Sequence, residues 1–480
     1  MEQPSPRRWW ALLVLAAAQF MVIMDTSIIG VALPDMQADL GFSQDSLSWV
    51  FNAYVIAFGG LLLLGGRLSD LLGARRVFGA GWVVLIAGSA LAGLAEGTTV
   101  EIAARAVQGA GAALIAPSAL TLLMMLFAGE PRELGKAMAI YGAAAPAGGT
   151  AGVFLGGVLT QWADWPWVFF VNIPVGIAVL VAMPALLPHT PGARGSIDVS
   201  GALAVTGGLA LTVLGIVRAP EEGFASAETL VSLAAGVTLL AVFVVVQRVR
   251  HAPLMPLGIW RRPNLAAANV SMALLGAAWI PMWFFLNLYL QQVLGYGAFE
   301  SGAALLPMTV TIMLLMAAVT GRLMARFSLK ALIATGIAVL AVGLTWLSFV
   351  PADGSFAVDV LPASIVAAVG MSLAFVPAMM AAITAAPPEQ GGLASGIVNT
   401  TYQVGSALGL AVMTAIATSQ GADRLDDTAA LTDGFQAAFL GAAAVAALGA
   451  LLTIALLRRP RSAPPADVLA EHETREPVAV

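Results

Sequence analysis

Gln19-Phe-Met-Val-Ile-Met-Asp25-Thr-Ser-Ile-Ile-Gly30-Val-Ala-Leu-Pro34 is an apolar run interrupted by one carboxylate. The apolar residues reach back to Trp9, and a helix over 9–33 is long enough to cross a bilayer core of about 30 Å. Hydrocarbon cannot solvate an ion, so a charge inside such a segment marks a functional site and calls for a partner.

The rest of the chain has the same character. Of 480 residues, 59% are hydrophobic and only 10% charged, with a mean hydropathy of +0.90. Soluble domains hold roughly 45–50% apolar residues, so the composition implies a polytopic membrane protein. The net charge of -5 says little, because in a membrane protein the sign matters loop by loop. Cysteine is absent, which excludes disulfides, thiolate metal sites and cysteine nucleophiles. Arg7-Arg8 before an apolar run with Ala16 to Ala18 imitates a signal peptide. The run continues to Leu33, beyond the length of a signal core, and reads as a retained first helix.

Apolar runs between polar or Gly/Pro breaks place fourteen helices, at 9–33, 48–68, 77–95, 102–126, 136–159, 167–187, 199–217, 229–247, 265–290, 303–323, 331–350, 360–384, 393–417 and 436–457. Basic residues test the count, since Lys and Arg collect in cytoplasmic loops. With the amino terminus inside, the cytoplasmic set holds Arg7, Arg8, Arg67, Arg75, Arg76, Arg132, Lys136, Arg194, Arg248, Arg250, Arg261, Arg262, Arg322, Arg326, Lys330, Arg458, Arg459, Arg461 and Arg475, 19 of the 22. Arg218 and Arg424 fall outside and Arg105 lies within a helix. A missed or spurious helix would invert every later loop, so the count predicts both termini in the cytoplasm. Trp9 and Trp10 at the inner end of helix 1, and Trp49, Trp162, Trp165 and Trp167 at outer ends, stand where amphipathic rings prefer to sit.

The sequence repeats itself. Gln37-x-x-Leu40-Gly41-Phe42 followed by Gly66-Arg67-Leu68 returns as Gln291-x-x-Leu294-Gly295-Tyr296 followed by Gly321-Arg322-Leu323. Helix 1 therefore corresponds to helix 9, giving six helices, an inserted pair and six more. The expected divisions are 1–187 for the first half, 188–263 for the insert, 264–457 for the second half and 458–480 for a cytoplasmic tail. No loop is long enough to hold a soluble catalytic domain.

Away from helix ends, two ionisable groups of opposite sign are embedded: Asp25 in helix 1 and Arg105 in helix 4. At 1.5 Å per residue they lie at similar depths, about 12 Å and about 5–10 Å from the outer ends of their helices. A pair forms if the helices are neighbours. Desolvation favours the protonated carboxyl and a nearby arginine the charged one; a carrier that changes this balance as it rocks can load and release a proton. A purely structural pair is the weaker explanation, because buried ion pairs often cost stability.

Gly66-Arg67-Leu68-Ser69-Asp70-Leu71-Leu72-Gly73-Ala74-Arg75-Arg76 resembles the loop signature of the major facilitator superfamily. The resemblance assigns Gly66, Asp70, Gly73, Arg75 and Arg76 to a cytoplasmic latch between helices, although the family often has basic residues where Leu71 and Ala74 stand. Asp25-Thr26 through Ala32-Leu33-Pro34, Arg105-x-x-Gln108-Gly109-x-Gly111, Trp167 to Gly176 and Asp198-x-x-Gly201 are similar to motifs of its fourteen-helix drug:proton antiporter branch, with Gly30 where asparagine is usual. That branch implies an all-α major facilitator fold in a bacterial inner (plasma) membrane. It also implies proton coupling through Asp25, Arg105 and Gln108, no cofactor beyond the proton gradient, and export.

Helix 5 carries an altered form of the antiporter glycine motif. Gly148, Gly152 and Gly156, with Gly157 beside them, permit close backbone approach and would let the halves rock. Gly-Pro steps usual in the family are missing. For substrate, helix 9 offers Trp279, Trp283, Asn287 and Gln291 at i, i+4 spacing, helix 13 offers Asn399, Tyr402 and Gln403, and helix 2 offers Asn52 and Tyr54. Aromatic faces ending in amides suit an amphipathic ligand. Helices 9 to 14 embed no acid, which points to neutral or monocationic hydrophobic compounds.

Other chemistry is not supported. Gly129 to Lys136 has five residues between its glycines and Ala137 in place of Ser or Thr, so it is not a phosphate loop, and neither ATP nor nucleic acid is an expected partner. An intramembrane enzyme would need an embedded nucleophile and base, a metal cluster or paired carboxylates. A transporter dedicated to one endogenous metabolite or lipid is the alternative on the same scaffold.

Overall fold

The structure is a computed structural model and describes residues 7–127, 131–190, 192, 198–223, 225–251, 253–386 and 391–458. Arg194, the 129–130 part of the phosphate-loop lookalike, and the tail from 459 with Arg459, Arg461 and Arg475 lie outside the described residues. Fourteen described helices are long and apolar enough to cross a membrane: α1 Arg7–Leu40, α2 Ser46–Leu72, α3 Ala74–Gly93, α4 Thr98–Phe127, α5 Lys136–Ala163, α6 Trp167–Leu186, α7 Val199–Ala219, α8 Ala227–Val249, α9 Pro263–Val293, α10 Ala298–Met324, α11 Leu329–Leu347, α12 Phe356–Ala385, α13 Ala394–Ala422 and α14 Thr428–Leu456. An even number of spans brings both described ends of the chain to one end of the bundle, called here the terminal end. The opposite end is the far end.

The number of helices is as expected, but several are longer. α1 runs through Pro34 to Leu40, because a proline inside a long helix removes one hydrogen bond without ending it where neighbours pack. Gly41, with φ 71°, closes it, and Gly295, with φ 69°, stands at the same place after α9. Both take the left-handed conformation that glycine adopts without penalty at a helix end. α4 begins at Thr98 rather than near 102, which brings Glu101 into the helix. Most of the 66–76 segment is also helical: α2 reaches Leu72, α3 starts at Ala74, and Gly73, φ 91°, is the whole turn. α6 is interrupted at Val171 between Trp167–Phe170 and Asn172–Leu186.

The repeat is visible in the packing. α1 lies against α5, α2 and α3 against α4, and α3 against α6; α9 lies against α13, α10 and α11 against α12, and α11 against α14. The close approaches correspond as well. A Cβ on Gly148 would meet the Phe20 carbonyl at 2.3 Å, and one on Gly152 the Met24 carbonyl at 2.8 Å. In the second half a Cβ on Gly405 would meet the Ala273 carbonyl at 2.1 Å, and one on Gly409 the Ala277 Cα at 2.3 Å. The halves meet along α5 against α10 and α2 against α13, while α7 covers the second seam by touching both α2 and α13.

α7 and α8 form a hairpin whose outer surface is apolar, with Leu230, Val231, Val237, Val245 and Val249 exposed as lipid-facing residues are. Asp198 caps α7 through the Gly201 N–H at 2.8 Å and accepts Gln247 Nε2 of α8 at 2.7 Å. Burial alone would push this carboxyl up, but the hydrogen bonds from Gly201, Gln247 and Ser200, together with Arg250, hold it below its ordinary value.

The far end is sealed by a ring of amides that joins the two halves. Gln37 Nε2 donates to Gln44 Oε1 at 3.0 Å, Gln44 Nε2 to Gln292 Oε1 at 3.4 Å, and Gln292 Nε2 to Gln37 Oε1 at 2.8 Å. Gln291 adds a bond to the Val31 carbonyl at 3.0 Å.

Candidate functional site

The centre of the first half is polar and closed. Asp25, Arg105 and Gln108 are each 0% exposed. α1 carries Asp25 on a face turned towards α4 and α6, while α5 packs along another. Arg105 Nη1 donates to Asp25 Oδ2 at 2.7 Å and to Gln108 Oε1 at 2.6 Å, while its Nε donates to the Val50 carbonyl of α2 at 2.9 Å. Asp25 Oδ1 accepts Gln108 Nε2 at 3.2 Å and Asn172 Nδ2 at 2.7 Å. Ser89 of α3 takes a bond from each of those amides, at 2.8 and 3.2 Å. Tyr54 and Phe169 lay their rings against the guanidinium, 4.6 and 5.7 Å away, which adds cation–π attraction in a dry site.

Five helices thus converge on one carboxylate. The carboxylate takes three donors, and Arg105 has two further acceptors in Gln108 and Val50. Asn172, Ser89 and Glu101 were not among the site residues inferred from sequence. Asn172 had a signal, since it stands in the apolar Trp167 to Gly176 segment just where α6 is interrupted. Ser89 had none. Glu101, 0% exposed with both carboxylate oxygens unpartnered among the described residues, was excluded because α4 was expected to begin after it.

Tyr54 belongs to this cluster and not to a substrate face; its hydroxyl donates to the Val22 carbonyl of α1 at 3.3 Å. Asn52, two residues earlier and so turned about 200° around the helix, is buried with no partner on either side-chain polar atom among the described residues. The other proposed substrate contacts are distributed over α9 and α13. Asn287 is buried and occupies the space that a Cβ on Gly30 would take, at 2.9 Å, and its Nδ2 donates to the Trp283 carbonyl at 2.9 Å. With Gln291 it forms the α1–α9 seam. Trp279 is 6% exposed. Asn399 bonds back to Ser395 at 2.9 Å, Tyr402 meets Phe375 edge-to-face at 5.4 Å, and Gln403 backs onto Gly59. An apolar cavity of about 180 Å³ lies instead at the insert, lined by residues that include Leu63, Phe243, Trp260 and Thr400.

The glycines of α5 also divide. Gly148, Gly152 and Gly156 make the close backbone approach expected of them, to Phe20, Met24 and Ile28 of α1, inside the same half as the carboxylate. The physical reason is the helix face: residues four apart share it, and that face meets α1. Gly157, one position round, meets the Ala298 carbonyl of α10 at 2.9 Å.

At the terminal end, Arg75 Nη1 donates to His189 Nδ1 at 2.8 Å, its Nη2 to the Pro184 carbonyl at 3.2 Å, and its N–H to Thr190 Oγ1 at 3.1 Å. A Cβ on Gly73 would sit 2.2 Å from the Thr190 carbonyl. Asp70 and Arg76 are exposed, and Asp70 makes no ion pair with the described residues. Gly66 faces Pro117 of α4. Leu71 and Ala74 are buried, at 9% and 1% exposed.

The family model described as Major Facilitator Superfamily matches residues 15–410 and 308–479. The chain belongs to that superfamily. The cephamycin export protein of Amycolatopsis lactamdurans is 40% identical over 95% of this chain and 94% of its own. The puromycin resistance protein of Streptomyces alboniger is 36% identical over 95% of this chain and 91% of its own. Among solved structures, an auto-inhibited peptide transporter of the POT family superposes with a TM-score of 0.69 at 16% identity, over 96% of this chain and 98% of its own, which shows the shared fold. As a superfamily member with fourteen apolar spans and bacterial export-protein relatives, the chain is a multi-pass protein of the bacterial inner (plasma) membrane.

Proposed function

We propose that this protein exports hydrophobic or monocationic organic compounds, antibiotics among them, in exchange for protons. The buried Asp25–Arg105 pair carries the proposal. A buried carboxylate tied to an arginine and two amides is better explained by a change of state than by a structural role, because buried ion pairs often cost stability. The export and resistance names of its relatives support the direction and the substrate class.

The terminal end is taken as cytoplasmic, because the basic residues gather there; the amide ring then closes the periplasmic or external end. Drug bound from the cytoplasmic side leaves outward when the seam at Gln37, Gln44 and Gln292 separates. Asp25 then receives a proton from the acidic side and loses its attraction for Arg105, which keeps Val50 and Gln108 as acceptors. α1 is freed to shift against α5 along the glycine face, the site returns inward, and deprotonation towards the cytoplasm restores the pair. The gradient drives this cycle in place of ATP or a bound cofactor, and no covalent chemistry on the drug is involved.

Inverted membrane vesicles test the reading with cephamycins, puromycin and cationic dyes under an imposed pH gradient. Wild type is expected to accumulate substrate inside them and Asp25→Asn to fail. Equal accumulation by the two would show that Asp25 is not the proton carrier, and accumulation by energised whole cells would reverse the direction.

A further inference from the structure

One buried ionisable group is left unused by this cycle. Glu101 stands one turn before Arg105 on α4, a spacing that makes the two side chains neighbours on one helix face. It is 0% exposed and neither oxygen has a hydrogen-bond partner among the described residues. Arg105 has a matching vacancy: Nη1 and Nε are committed to Asp25, Gln108 and Val50, while Nη2 has no acceptor there.

Charge sharpens the point. The ionised groups acting on Glu101 are Arg105 of its own helix and Asp25 of α1. Tyr54, from α2, is the other titratable side chain against the guanidinium, and Glu96 lies exposed in the α3–α4 connection. Two buried carboxyls therefore lie in the field of one guanidinium, and only Asp25 is bonded to it. An unpaired buried carboxylate is very costly, and one proton held between the two carboxyls relieves that cost. Position fits as well, since Glu101 lies three residues inside the far end of α4 and Arg105 about 6 Å deeper, whereas the amide ring shuts the direct way to Asp25.

We propose that Glu101 is a second proton-binding carboxyl, which passes protons between the far end and Asp25 while Arg105 turns from one carboxylate to the other. This rests on the proton-coupled reading above. In the transfer, the O–H bond at Glu101 breaks and one forms at Asp25. Asp25 becomes neutral, Glu101 becomes the anion, and the guanidinium stays charged and swings its free Nη2 edge to Glu101. Charge in the cluster is unchanged throughout.

The test uses the full chain in proteoliposomes, as wild type, Glu101→Gln and Glu101→Asp, with puromycin as the probe. Two activities are followed: pH-gradient-driven transport over a pH series, and gradient-free counterflow, which needs no net proton movement. Glu101→Gln is expected to keep counterflow within about twofold and to lose driven transport by about tenfold or more, with a flattened pH profile. Glu101→Asp is expected to recover most of the driven rate. A Glu101→Gln protein with wild-type driven rate and pH profile overturns the proposal. So does a parallel loss of both activities with the profile unchanged, which marks a structural role. Wild-type transport of puromycin that ignores the gradient is a different result: it removes the proton-coupled reading itself.

Discussion

The Asp25 carboxylate takes hydrogen bonds from Arg105, Gln108 and Asn172, and each donor is itself tied to a further group. Such a cluster depends on geometry as much as on charge. Arg105 serves three acceptors through a planar fork, which a lysine ammonium cannot reproduce. Arg105→Lys is therefore expected to lower proton-driven transport by about tenfold or more while the protein still folds. Arg105→Ala, which strands Asp25, is expected to cost about 3–5 kcal/mol of stability. Transport assays and thermal unfolding in detergent check the two. At this scale the sequence was informative where a residue was anomalous for its surroundings: a lone Asp and a lone Arg in apolar helices. Ser89 is unremarkable in a helix of small residues, and its role follows from where Gln108 and Asn172 end. Glu101 was hidden by a helix boundary misplaced by one turn.

Among the elements, α5 and the α7–α8 hairpin have the clearest consequences. An added methyl on Gly148 would meet the Phe20 backbone, whereas one on Gly142 of the same helix meets nothing within 4 Å. Gly148→Ala is expected to force α5 off α1, to destabilise by about 1–3 kcal/mol and to slow transport, with Gly142→Ala as the silent counterpart; thermal unfolding and uptake distinguish them. The hairpin depends on Asp198. Its folded carboxyl titrates below the ordinary value, so the stability it adds is fully present above the unfolded value of about 3.9 and is lost as pH falls through the lower folded one. Acid is expected to loosen the α7 start, seen as faster amide hydrogen exchange in its first turn, and Asp198→Ala to show the same looseness at neutral pH, at a cost of about 1 kcal/mol. Asp198 and Gly201 were legible as a motif, but Gln247 as the partner across the hairpin was not, since the two are separated by the whole of α7.

For the whole molecule, the seam at the far end is the feature that alternating access has to break. Gln37 and Gln292 face each other across the halves beside the repeated Gln-x-x-Leu-Gly sequence, but Gln37 corresponds to Gln291 in the repeat, so the seal joins residues that the internal symmetry does not pair. The chain has no cysteine of its own. A short bifunctional thiol reagent joining Gln37→Cys to Gln292→Cys is expected to reduce transport by about tenfold or more, reversibly on cleavage of the link; single-cysteine variants serve as the comparison. Undiminished turnover in the crosslinked protein would show that this end need not open. The insert adds to the asymmetry, because α7 covers the α2–α13 seam while the α5–α10 seam has no such cover from the inserted pair.

Hydrophobic run length, the absence of long polar segments and the repeated loop determined by themselves that the chain crosses a membrane in fourteen helices with a doubled plan. These properties are local or periodic, and solvation by lipid acts on them residue by residue. Only the tertiary structure decided which faces meet. Helix rotation and end positions set the α5 glycines against α1, placed Tyr54 against the Arg105 guanidinium, and set Asn287 and Gln291 along the α1–α9 seam. Contacts between helices far apart in sequence set those angles, and no single helix encodes them. The stretch from Gln19 to Pro34 supplied the carboxylate; α2, α3, α4 and α6, folded around it, supplied its chemistry.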